Sequence, residues 1–238
     1  MHADPDSPRF VAWVRSAAPY IHAFGGRTFV IAVGGEVLQG PLANSLVQDC
    51  NLLAALGIKL VLVVGARPQI EEELAARGLP PRYHKGLRVT DAQAMDCVKR
   101  ANGAIRIDVE ALFSQGLPNT PMAGSTIEVA SGNFLTARPV GVVDGIDHGY
   151  TGTVRKVDVE ALNDALADSD IVLMQPYGYS LTGEVFNLSM EEVAESVAVA
   201  LQATKLIYLC DAPGIVDEQG ALVPELTADE AAQWLKAG

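Results

Sequence analysis

The segment TFVIAVGGEVLQG, Thr28 to Gly40, carries a run of β-branched and apolar residues straight into a glycine pair, Gly34-Gly35. A strand ending in glycines presents backbone N–H groups with no side chain in the way, a geometry suited to holding a phosphate. A second run, KLVLVV, ends the same way at Gly65. No lysine or arginine stands inside the first strand or its turn to meet an anion's charge. Metal chemistry is not signalled, because His84 and the other three histidines lack partners at ligand spacing, so no metal is expected. Cys50, Cys97 and Cys210 are odd in number, far apart and never spaced C-x-x-C, which predicts isolated buried thiols in a reducing cytosol.

Glycine turns of this kind need strands to hold them. From Arg27 onward, unalternating apolar runs alternate with helical patterns. TFVIAV precedes LANSLVQDCNLLAALG, a helix closed by Gly57, and KLVLVV precedes PQIEEELAARG, a helix with proline at its start and Gly78 as its cap. Such a pattern predicts an α/β fold: a three-layer αβα sandwich around an open, mostly parallel sheet covered on both faces. TDAQAMDCVKRANGAIRIDVEALFSQ reads as helix interrupted near Gly103. Between residues 125 and 157, short strands broken by Gly-Asn and Asp-Gly turns read as β-hairpins. VEALNDALAD, DIVLMQP, SMEEVAESVAVALQA, KLIYLCD and TADEAAQWLK resume the alternation, with VDEQGALVPEL a small hairpin. Ser7-Pro8 starts an N-terminal helix whose apolar residues recur up to Gly25-Gly26, with Pro19 expected to loosen its last turn. The division expected is an appendage, 1–26, and one domain, 27–238. In a parallel sheet, ligands collect beyond the carboxyl ends of the strands, which puts Gly34, Gly35, Gly65, the loop 176–184 and the segment 211–214 on one rim.

Bulk properties narrow the partners. A chain of 238 residues, 49% hydrophobic and 19% charged, buries a sizeable core. Its net charge of −12 repels polyanions and excludes nucleic acid as a natural partner. Apolar runs fall short of a membrane span, and the N-terminus MHADPDSPRF lacks a signal-peptide pattern, so a cytoplasmic location is expected.

Taken in order, VIAVGGEVL, LVLVVGARPQI, HKGLRVTD, FNLSMEEVAESVAVAL and LIYLCDAPGIVDEQG resemble the amino acid kinase family, and within it acetylglutamate kinase. The blocks span almost the whole chain after residue 26. Kinases of that family carry a lysine two residues before the glycine pair; here that position is Ala32. They also carry a histidine and three glycines where this chain reads Val64-Gly65-Ala66-Arg67, and an aspartate where it has Glu191. The family's second catalytic lysine would lie past Gly238. Phosphoryl transfer leaves a protein little to do except position groups and neutralise charge, and losing one such group costs about 10²–10³ in rate. With no replacement cation evident, the resemblance implies a kinase fold without kinase activity and with no catalytic residue.

These departures, with APYI, GARPQI, ASGNFL, LTGEVFNL and TKLIYLCD, resemble the kinase-like N-terminal domain of the bacterial N-acetylglutamate synthases. In that family this domain binds L-arginine, and a separate acetyltransferase domain uses acetyl-CoA and glutamate. The resemblance therefore implies the regulatory part of a longer protein, L-arginine as effector, a homo-oligomer paired through the N-terminal helix, and no cofactor in this chain. Acetyl-CoA would be a substrate of the transferase domain, expected outside these residues.

Single positions follow from the resemblance, each beside a plainer alternative. Tyr20 and Lys205 match positions that contact arginine; the alternatives are a packing tyrosine and a solvated strand end. The family's remaining arginine contacts would lie after Gly238. Arg88 matches the kinase arginine that pairs with the substrate carboxylate, and Asn187 the asparagine that holds the acetylamino group. Their alternative is a retained structural network, Arg88 bonded to nearby carbonyls and Asn187 capping the helix near Ser189. With Gly34, Gly35, Gly65 and Asp211, these two make up the expected vestigial substrate and phosphate pocket. Asp211 and Gly214 match a nucleotide-side loop, or form an ordinary Asp-x-x-Gly turn.

Overall fold

The computed structural model describes residues 7–40, 42–115, 124, 127–209, 212 and 214–237. Five parallel strands make the main sheet: β1 (Thr28–Val33), β2 (Lys59–Val64), β5 (Val129–Ala130), β10 (Ile171–Met174) and β13 (Lys205–Leu209). Their spatial order is β13-β1-β2-β10-β5. The unalternating apolar runs are explained by the packing on both faces. Past the short α2 (Gly35–Leu38), Phe29, Ile31, Val33, Leu60, Leu62, Val64, Ile171 and Leu173 point into one core with α3 (Ala43–Ala55), α4 (Arg67–Ala76) and α5 (Ala92–Phe113). Val30, Ala32, Val61, Val63, Val172 and Met174 point into the other, with α6 (Val159–Asp168) and α7 (Met190–Ala200). The αβα sandwich is thus a direct consequence of period-two alternation between two apolar cores.

A second sheet covers part of the α6–α7 side. It contains β6 (Leu135–Pro139), β9 (Gly152–Val157), β11 (Tyr177–Tyr179) and β12 (Val185–Asn187) in the order β12-β11-β6-β9. Between β6 and β9 runs a hairpin, β7 (Val142–Val143) and β8 (Ile146–Asp147), turning at Asp144-Gly145 with both φ angles positive. The Asp-Gly turn signal is therefore correct, but the region is not hairpins throughout. β5 leaves it to join the main sheet beside β10. The segment 176–184, expected as a rim loop, is instead largely strand and turn: β11 pairs with β12, and its tip is held by Ser180 bonds to residues 182–184.

Three further differences have local causes. α5 runs unbroken through Gly103, because Val98, Ala101, Ile105 and Val109 around it are buried and outweigh a glycine penalty of about 1 kcal/mol. α1 (Ser7–Phe24) likewise continues past Pro19 to Phe24. The ring removes one N–H, and the carbonyl it would have met, that of Arg15, sits on an exposed turn open to solvent. A short hairpin that the sequence reading passed over joins β3 (Tyr83–His84) to β4 (Leu87–Arg88) across Lys85-Gly86, at φ 50° and 78°. The chain closes with the turn at Asp217–Ala221 and α8 (Ala228–Ala237). No helix among the described residues is long and apolar enough to cross a membrane.

Candidate functional site

A cleft opens beyond the carboxyl ends of β1 and β2. Its floor is Gly34, Gly35, Gly65 and Ala66, its far lip is Pro176 and Asn187, and Glu191 lies at the start of α7. The glycine rim is at the place the sequence indicated, but the amides of Gly34 and Gly65 point elsewhere. Gly34 donates its N–H to the carbonyl of Leu209 at 3.2 Å, and Gly65 donates to the carbonyl of Val33 at 2.8 Å. These bonds extend the parallel ladder by one residue at each strand end, leaving neither N–H free for an anion. Crowding requires glycine at Gly35, where a Cβ would lie 2.8 Å from the backbone carbonyl oxygen of Gly65; at Gly34 a Cβ would meet only the movable carboxylate of Glu36. The carboxylate of Glu36 folds back over the turn. Ala32 is wholly buried in the core beneath α7, so nothing from that position reaches the cleft.

The cations come from the opposite wall. The absence of a replacement cation expected from the sequence does not hold: Arg67, at the start of α4, and Arg88, on β4, both line the cleft. They share one aromatic ring. The guanidinium carbon of Arg88 lies 4.8 Å from the Tyr83 ring centroid, and that of Arg67 lies 5.4 Å from it. Tyr83 donates its hydroxyl to Glu71 Oε1 at 2.6 Å, and Arg88 Nη2 stands 3.4 Å from the same oxygen. Burial, and then the bond to Glu71, push the Tyr83 phenol above its ordinary value, against the pull of the two arginines. The side chain of Arg88 is 6% exposed, and its Nη1 is buried without a partner among the described residues. Its guanidinium therefore does not bond to nearby carbonyls, as the plainer alternative supposed.

Behind this wall lies a buried polar network. Thr151 donates its hydroxyl to the carbonyl of Arg88 and lies 2.9 Å from the hydroxyl of Thr90; Asn187 donates from Nδ2 to Thr90 Oγ1 at 3.2 Å. The network ties the second sheet to β4. Asn187 is not the cap of α7; Ser189 takes that place, accepting from the amide of Glu192 at 3.0 Å. Arg88 and Asn187 thus meet at one cleft with the glycine rim, whereas Asp211 lies outside the described residues. Gly214, at φ 133°, does not line it.

Tyr20 and Lys205 belong to another place. Lys205 opens β13 and pairs in register with Phe29, at the end of the sheet opposite the rim. Its ammonium lies 5.6 Å from the Phe24 ring centroid. Tyr20 is one turn earlier on the same face of α1 and 67% exposed. Register along β1 from Phe29 to Val33 separates this place from the cleft by about 13 Å.

Glu71, Tyr83, Thr90 and Thr151 escaped the sequence reading. The available signal was Lys-Gly between YH and LR, a two-residue hairpin turn that pairs Tyr83 with Arg88. Among the described residues, no group of three or more His, Cys, Asp or Glu is placed to hold a metal.

Comparison with known proteins places this architecture. An amino-acid acetyltransferase of Ralstonia nicotianae is 51% identical over 98% of this chain, which covers 52% of that protein. N-acetylglutamate synthase of Neisseria gonorrhoeae, in complex with coenzyme A and N-acetyl-glutamate, superposes with a TM-score of 0.86 at 43% identity, over 96% of this chain and 52% of that one. The same enzyme in complex with coenzyme A and L-arginine superposes with a TM-score of 0.86 at 42% identity, over 96% of this chain and 54% of that one. The chain spans about half the length of the relatives it matches. The model of the amino acid kinase family matches residues 27–238, and the chain belongs to that family.

Proposed function

We propose that this chain is the regulatory, kinase-like part of an N-acetylglutamate synthase, and that it senses L-arginine without transferring phosphoryl groups. The complete protein would move an acetyl group from acetyl-CoA to the α-amino group of glutamate, in the cytoplasm, at the first step of arginine biosynthesis. The observation that carries the non-kinase half is the rim itself: Ala32 is buried, and the amides of Gly34 and Gly65 are bonded to strand carbonyls. The similarity to a synthase whose structure holds L-arginine supports the other half.

In this reading Tyr20 and Lys205 contribute to the arginine site, and residues 1–26 form an assembly arm on the domain 27–238. Val11, Trp13, Val14, Tyr20 and Ile21 on α1 are all exposed, so one chain alone leaves these five uncovered. A second copy of the same helix covers such a stripe symmetrically. Sensing then requires arginine to favour one state of the assembly over another, a coupling of about 1–3 kcal/mol in typical cases. The test is acetyl transfer by the full-length protein with and without L-arginine. Arginine is expected to move the rate, and Lys205→Ala to blunt the response; a rate unmoved by millimolar arginine counts against sensing.

A second reading, an acetylglutamate kinase that recruits other cations, draws on Arg67 and Arg88 in the cleft. It is disfavoured because Arg88 is held beside Glu71 and Tyr83, while the floor offers no free Gly34 or Gly65 amide.

A further inference from the structure

We propose that Glu71 is a resident carboxylate that holds Arg88 in the cleft and is displaced by a small carboxylate ligand, so that it sets how strongly the cleft binds anions. The proposal rests on reading the cleft as a receptor that has lost transfer chemistry, and it is independent of arginine sensing at Lys205.

A guanidinium as buried as that of Arg88 needs a counter-charge, since removing it from water is costly. Among the described residues, Glu71 is the one carboxylate within 4.0 Å of it. The pairing is incomplete in three ways. It uses a single nitrogen, Nη2, at 3.4 Å; it uses a single oxygen, which also accepts the Tyr83 hydroxyl; and Nη1 is left buried with no partner among the described residues. The guanidinium fork is shaped for two parallel bonds to both oxygens of one carboxylate, and Glu71 supplies only one.

Glu71 also has somewhere to go. Its side chain, on α4, is 43% exposed, against 6% for Arg88. A carboxylate entering from the rim side meets Arg88 in a cleft that Arg67 and Asn187 also line. Two carboxylates cannot share one guanidinium nitrogen without repulsion, so Glu71 swings into water as the ligand settles. Ligand affinity is thus a difference between two carboxylates competing for Arg88. Tyr83 registers the exchange, because its hydroxyl loses an acceptor when Glu71 leaves.

The experiment is calorimetric titration of the 238-residue chain with N-acetyl-L-glutamate and, separately, with inorganic phosphate. Glu71→Gln removes the competing charge but keeps an oxygen for the Tyr83 hydroxyl. It is expected to tighten N-acetyl-L-glutamate binding about fivefold over the unaltered chain, the scale of one partly exposed ion pair. Arg88→Met is expected to abolish that binding in both backgrounds, with thermal melting used to confirm that each variant folds. Equal affinity in the unaltered chain and Glu71→Gln overturns the proposal, as does absence of binding in both. Phosphate binding tighter than the carboxylate in Glu71→Gln overturns the ligand class. Loss of arginine-sensitive acetyl transfer, with the Glu71 result intact, would instead overturn the regulatory reading alone.

Discussion

Arg88 and Tyr83 face each other across the β3–β4 hairpin, guanidinium carbon 4.8 Å from ring centroid, and the hairpin's register makes them direct partners. The contact holds a buried cation against the cleft wall while Glu71 anchors the far edge of the ring. Tyr83→Leu keeps an apolar side chain but removes the ring face and the hydroxyl. A loss of about 1–2 kcal/mol in stability is expected from the stacked guanidinium and the bond to Glu71 together. Urea unfolding measures it; an unchanged midpoint would show that the ring does not hold Arg88.

The rim glycines differ in how well they tolerate a methyl group. At Gly35 the added Cβ meets the carbonyl oxygen of Gly65 at 2.8 Å, backbone that cannot step aside. At Gly65 it meets the sulfur of Met190 at 2.9 Å, the end of a flexible side chain. Gly35→Ala is expected to cost about 2–3 kcal/mol and Gly65→Ala less than about 1 kcal/mol, on the usual scale of overpacking. Thermal melts of the two variants give the order, and the reverse order would refute this account of the rim.

The layers of this fold were readable because apolar runs such as KLVLVV state both their secondary structure and their burial on two faces. The glycine rim was readable for the same reason: a strand must end where its apolar run ends. The cleft's far wall was not. Tyr83, Glu71 and Arg88 come from a short hairpin and a helix, and only tertiary packing brings them together. Gly103 misled because a glycine's local preference is weaker than the burial of Val98, Ala101 and Ile105 around it. The segment 125–157 misled because β5 pairs with β10, more than forty residues away, and local turn signals carry no information about such a partner.

Alkaline pH should find two shielded acids, one buried and one half-buried. Burial, then the charge of Asp49, raises the Cys50 thiol from 9.0 to about 12. Burial, then the neighbouring Tyr179, raises the Tyr177 phenol from 10.0 to about 12. Each group holds its proton more tightly folded than unfolded. Stability from this source is therefore whole below pH 9 and declines as pH rises toward about 12. Urea midpoints across that range should fall, and Cys50→Ala should shallow the fall. Cys50 should also resist alkylation by iodoacetamide at pH 8 until the chain is unfolded, because its thiolate is scarce and the residue is 1% exposed. Rapid native labelling would contradict this.

The assembly arm has a simple probe in Trp13, which is 62% exposed on α1. Trp13→Glu places a charge in the stripe proposed to pair between copies. Sedimentation velocity is expected to show a smaller species than the unaltered chain at equal concentration, with unchanged far-ultraviolet circular dichroism. An unaltered sedimentation coefficient would move assembly to another surface.

The most direct check on the account's centre is coupled ADP release from N-acetylglutamate and MgATP by the purified chain and by Ala32→Lys. With Ala32 buried and the amides of Gly34 and Gly65 already bonded, the unaltered chain is expected to release no ADP above the enzyme-free rate. Steady turnover by the unaltered chain, abolished by Arg67→Ala or Arg88→Met, would show that the arginines of the cleft do the work of the missing lysine and would contradict it.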